Sequence, residues 1–93
     1  MKMLKTFTIT VSGKVQGVFF RQSTRDIAKS LNITGHVKNL PNGNVEIIAT
    51  GTPENLYHLI EWCKHGPPHA EVSEVHFEEI PLAEFGRFAI VAI

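Results

Sequence analysis

Cysteine is almost missing from this chain, with Cys63 alone among 93 residues. A single thiol excludes an internal disulfide, and no Cys/His cluster has zinc-ligand spacing, so the expected compartment is a reducing one. Long apolar runs are missing too. The opening stretch MKMLKTFTITVSG alternates polar and apolar residues, which fits neither a signal peptide nor a membrane span. The cytoplasm is the expected location. There is no excess of either charge, with nine Lys/Arg against nine Asp/Glu, and a nucleic-acid groove would need a broad basic surplus. No repeat or linker breaks the chain, and its length supports one modest core, so residues 1–93 read as a single domain.

The familiar phosphate and nucleophile signatures are also absent. Neither G-x-x-x-x-G-K-[ST] nor G-x-G-x-x-G occurs. The position six before Arg21, where a cysteine phosphatase carries its nucleophile, is Val15. Ser12 and Ser23 have no histidine base in their sequence context, so covalent catalysis is not expected.

What is present is a neutral chain with uneven charge. Residues 1–45 carry seven basic side chains against Asp26 alone, whereas residues 46–93 carry Lys64 and Arg87 against eight glutamates. If the halves interleave in the fold, their fields cancel. The alternative is a local basic site around Lys14, Arg21 and Lys38.

Periodicity supplies the elements. KTFTITVSG sets Phe7, Ile9 and Val11 against Thr6, Thr8 and Thr10, the alternation of a strand with one buried face. Residues 21–31 read as a helix with Ile27, Ala28 and Leu31 on one stripe and Asn32 or Gly35 as its stop. GHVKNLPNGNVEIIATG reads as a hairpin around Pro41, Asn42 and Gly43, with Val37, Val45, Ile47 and Ala49 toward the core. A second helix has Thr52 as N-cap, Pro53 in its first turn and Gly66 beyond its end, and it buries Leu56, Leu59, Ile60 and Cys63. AEVSEVHFEEI gives a strand with Val75 and Phe77 inward, and GRFAIVAI gives a last one. The order βαββαβ plus a terminal strand predicts an α+β, ferredoxin-like sandwich: an antiparallel sheet covered on one face by two helices.

In that order GKVQGVFFR links the first strand to the first helix. Arg21 then sits in a helix's first turn, where the macrodipole favours an acid, so an external anion is expected there. The amides of residues 16–21 are expected to form a concave nest at the helix N-terminus. Gly13 and Gly17 allow positive φ or close approach, Phe19 and Phe20 anchor the loop's flanks, and Arg21 offers a planar fork. A plain strand-to-helix turn would account for the glycines equally well. Asn39 shares the strand face of Val37, so its amide points toward the covered side, either bonding a nearby turn or holding a water or phosphate oxygen.

These stretches carry a resemblance. GKVQGVFFR is similar to the first acylphosphatase signature, G-x-V-Q-G-V-x-[FM]-R, at every fixed position. GHVKNLPNGNVEIIATG resembles the second, a Gly-aromatic-Val-Lys-Asn run followed by G-x-V and a closing Gly. GPPHAEVSEV and FGRFAI also look like that family, so the similarity spans nearly the whole chain. The resemblance implies hydrolysis of a carboxyl-phosphate anhydride, with no metal or cofactor. It assigns phosphoryl binding to Gln16, Gly17, Val18, Phe19, Phe20 and Arg21, with Arg21 as the essential cation and Asn39 orienting the attacking water. His36 departs from the pattern, standing where the family usually has Trp, Tyr or Phe.

Acyl phosphates suit so sparse a site. Their leaving group is a carboxylate whose conjugate acid has a pKa of about 4, so no general acid is required. Small-molecule acyl phosphates are therefore the expected partners, and a monomer is the default. Two rivals share the fold. An RNA-binding sheet would carry stacking aromatics in an R/K-G-F/Y-type run, which is absent here. A small-anion binding or regulatory domain would use the same cradle without turnover, and Asn39 beside the loop distinguishes the two.

Overall fold

A computed structural model describes residues 3–92; Lys2, counted above in the basic half, lies outside the described residues with Met1 and Ile93. The elements run β1 (Lys5–Lys14), α1 (Phe20–Ser30), β2 (Thr34–Asn39), β3 (Val45–Gly51), α2 (Pro53–Cys63), β4 (Glu71–Ile80) and β5 (Phe88–Ile90). They form one five-stranded sheet in the order β4-β1-β3-β2-β5. The first four strands of that order are antiparallel, as the ferredoxin-like order predicts. The last strand adds a feature the periodicity does not show: β5 is only three residues long and pairs parallel to β2.

The alternation of β1 decides the layering. Phe7, Ile9 and Val11 face the helices, and the register sets Ile9 opposite Ile47 and Ile47 opposite Val37. Ile9, Val11, Val37, Val45, Ile47 and Ala49 are fully buried there with Leu56, Leu59 and Cys63 of α2. Ala28 of α1 joins them, and Ile27 and Leu31 pack at the margin. Asn32 takes a positive φ of 56° and ends α1, so Gly35 is left as part of β2. On β4 the expected parity holds for Val75, but Phe77 remains 39% exposed. The strand lies at the sheet edge, and Phe77 is sheltered by rings from Phe7, 5.7 Å away, and Tyr57, 6.0 Å away.

The other face is not left open. Residues 81–87 are pinned to it through Ala83, whose carbonyl accepts from Thr50 Oγ1 at 2.7 Å and whose N–H donates to Thr6 Oγ1 at 2.9 Å. The two hydroxyls lie 2.6 Å apart, and both threonines are buried. Threonine alternation that reads as a solvated face thus serves a polar seam beneath a strap.

Charge follows the interleaving predicted above. Lys5 of the basic half meets Glu79 at 3.4 Å, and Lys38 meets Glu46 at 3.6 Å across the β2–β3 pair. Lys38 has the opposite strand parity from Asn39, so no basic cluster of Lys14, Arg21 and Lys38 forms. Lys14 is exposed at the end of β1, opposite Glu71.

Candidate active site

The site begins where β1 stops. Gly13 takes φ 119° at a register shift against β4, and a Cβ there would lie 2.2 Å from the Glu71 carbonyl oxygen. Gly13 therefore serves strand packing, not a ligand. Beyond it the backbone alternates in sign, with φ positive at Gly17 (74°) and Phe19 (65°) and negative at the residues between and beside them. Such alternation makes a concave nest of amides. For Phe19, a residue with a Cβ, left-handed backbone costs on the order of 1 kcal/mol.

The two helices start differently. On α2, Thr52 accepts from the Asn55 N–H at 3.3 Å and Glu54 occupies the first turn, a complete cap. On α1 the capping position is Phe19, with no side-chain acceptor and no acid in the first turn. Among the described residues no side chain caps its leading amides. Arg21, the second residue of the helix, is half-buried and makes no ion pair among the described residues. N–H donors free of a side-chain cap and a guanidinium without an ion pair at one helix end are the groups an anion site requires.

Sheet register delivers Asn39 to the same place. It pairs with Val45, which pairs with Val11, so Asn39 stands at the end of the sheet from which β1 enters the loop. Its Oδ1 is buried and meets no donor. An acceptor stripped of water and left unpaired costs about 1–3 kcal/mol, a deficit that a bound donor would offset.

Gly17, Phe19, Phe20, Arg21 and Asn39 line one cleft of about 390 Å³. Val15, Gln22 and Ile90 complete its walls, and none of these three is marked by the sequence reading. The side chains of two residues of the expected set point away from the cleft. Val18 is buried in the core, and the Gln16 side chain donates from Nε2 to the carbonyls of Leu40 and Asn44, each at 2.9 Å. Gln16 thus ties the loop to the β2–β3 turn, leaving only its backbone for an anion. The paired phenylalanines also divide. Phe20 is buried against Trp62, with ring centroids 5.3 Å apart, whereas Phe19 is 70% exposed because the helix begins only after it. Phe19 is therefore no anchor.

Other groups of chemical interest stand apart. Burial pushes the Cys63 thiol up to about 12, which removes it as a nucleophile at neutral pH. His58, His65, His69 and His76 are exposed. His36 lies on the strap face, with its ring edge-on to Phe85 at 5.7 Å. Replacing His36 by Phe should keep kcat within a few fold while raising the melting temperature, because an aromatic pair is retained without a polar edge. A rate loss of 10³, about 4 kcal/mol of barrier, would place His36 in the chemistry instead.

Fold and site together define a class: a ferredoxin-like α+β sandwich that presents an uncapped helix and an arginine to an anion. Within that class the comparisons are specific. The family model described as Acylphosphatase matches residues 7–90. An acylphosphatase of Acaryochloris marina is 53% identical over 81 residues, covering 87% of each chain. The structure of an acylphosphatase from Coxiella burnetii superposes with a TM-score of 0.92 at 46% identity, covering 95% of this chain and 93% of that one. That of Bacillus subtilis gives 0.91 at 37% identity, covering 97% and 100%. The chain belongs to the acylphosphatase family.

Proposed function

We infer that the protein hydrolyses acyl phosphates to carboxylate and inorganic phosphate by in-line attack of a water on phosphorus. The observation that carries this mechanism is the juxtaposition, in one cleft, of an unpaired Arg21 with an Asn39 whose buried Oδ1 has no partner. The loop amides and the Arg21 fork would neutralise the equatorial oxygens, while Asn39 holds the attacking water on the opposite side of phosphorus. Gln16 and Val18 contribute through backbone and support. The leaving carboxylate departs without a proton, so positioning and charge neutralisation carry the reaction and no covalent intermediate or metal is required.

This reading takes residues 1–93 as one catalytic domain acting as a monomer in the cytoplasm, on a small molecule and without a nucleic-acid partner. In its favour are the single core shared by sheet and helices, and the pairing of basic with acidic strands, which leaves no broad basic surface. Among the described residues no helix is long and apolar enough to cross a membrane. The same cradle could bind an anion without turnover, but such a domain has no use for a water-ordering amide, and the family assignment speaks for the enzyme.

The test is hydrolysis of benzoyl phosphate in oxygen-18 water with chelator present. Turnover should persist, be inhibited competitively by inorganic phosphate, and place the label in phosphate. Label in benzoate would overturn attack at phosphorus, and phosphate binding by folded protein without turnover would favour the binding domain.

A further inference from the structure

The anion site accounts for only part of the cleft. Phe19 also lines it, 70% exposed, on left-handed backbone that glycine would adopt more readily. The dihedral belongs to the amide nest, but the side chain packs against nothing in the fold: Phe19 is absent from the core and has no ring partner among the described residues. Its neighbour Phe20 supplies the buried contact that holds the loop. An exposed, unpacked aromatic ring on the wall of the cleft offers apolar surface to whatever the cleft binds.

The substrate has two ends, and the loop amides and Arg21 engage only one. The acyl group must lie within the cleft or project from it, where Phe19 and Ile90 provide apolar surface; among the described residues Arg21 is the only charged group lining the cleft, and on the hydrolase reading it is committed to phosphate. The first family signature leaves the position of Phe19 open between its fixed Val and Phe/Met. It is thus a wall residue that phosphoryl chemistry does not constrain.

We propose that the Phe19 side chain is a specificity determinant, forming the acyl-side wall of the cleft and favouring acyl phosphates with a flat aromatic acyl group. This rests on the hydrolase reading above and adds a substrate preference to it. A planar ring conjugated to the anhydride carbonyl can lie offset against the Phe19 ring, an arrangement a methyl group cannot reproduce.

The experiment compares kcat/KM for benzoyl phosphate with that for acetyl phosphate in the parent protein, Phe19→Asn and Phe19→Tyr. Asparagine tolerates left-handed backbone, so the nest is retained while the ring is removed. Intrinsic reactivity differences between the two substrates are common to all three proteins, and damage to the phosphoryl site scales both substrates alike, so both cancel when ratios are compared. The benzoyl-to-acetyl ratio should fall about tenfold in Phe19→Asn, equivalent to about 1.4 kcal/mol, and be restored in Phe19→Tyr. A ratio within about twofold of the parent's in Phe19→Asn, or an equal fall in Phe19→Tyr, overturns the proposal. If the parent turns over neither substrate, the hydrolase reading fails and takes this inference with it; turnover of both with an insensitive ratio removes this inference alone.

Discussion

Arg21→Ala is expected to lower kcat by on the order of 10³, about 4 kcal/mol of barrier, and to weaken inhibition by inorganic phosphate in parallel. Both effects have one origin. The guanidinium has no acid to leave behind, so its removal costs the fold little and the substrate much. Its charge opposes the α1 dipole in the empty protein, and a phosphoryl group would turn that local penalty into attraction. Arg21→Lys should rescue poorly, since a point charge cannot span two oxygens as a planar fork does. The measurement is steady-state kinetics with phosphate inhibition constants on variants whose melting temperatures match the parent. Full activity in Arg21→Lys would show that charge alone suffices.

Asn39→Ala separates the second role from the first. The expected loss in kcat is on the order of 10² or more, with the phosphate inhibition constant nearly unchanged, because a lost positioning hydrogen bond affects the nucleophile and not the anion. Stability should hold or rise slightly, since the variant deletes a buried acceptor that the protein itself leaves unpaired. This combination sets the role apart from that of a turn residue, whose removal would lower the melting temperature and spare the rate. Near-normal kcat in a folded Asn39→Ala protein would end the water-orienting assignment.

Much of this could be read from the residues because local and global signals agree. Thr52 and Pro53 announce α2, the alternation of β1 fixes its buried face, and strand parity directs Asn39 inward. What escaped the sequence depends on non-local pairing. Thr6 reads as solvated from its own strand and is buried only because residue 83 returns to bond it. Ile90 reaches the cleft only because β5 lies parallel to β2, a choice no turn signal records. Gln16 is placed in the loop by the resemblance, but nothing local shows that its side chain spans 24 and 28 residues of sequence to hold the β2–β3 turn. Phe19 and Phe20 are alike in type, and one backbone dihedral sends them to opposite environments.

The strand order carries a kinetic consequence. Arg21 and Asn39 are 18 positions apart, but β3 lies between the strands that place them, and β1 pairs with β3 some 40 residues downstream across a chain-distant register. Loop-closure entropy for such pairings must be met before their contacts contribute, so assembly of the centre of the sheet is expected to slow folding. No half-folded chain with β1 and α1 alone can hold the two residues in register. Recovery of hydrolysis after dilution from denaturant therefore serves as a clock for completion of the β1–β3–β2 core, a step that helix formation alone would not report.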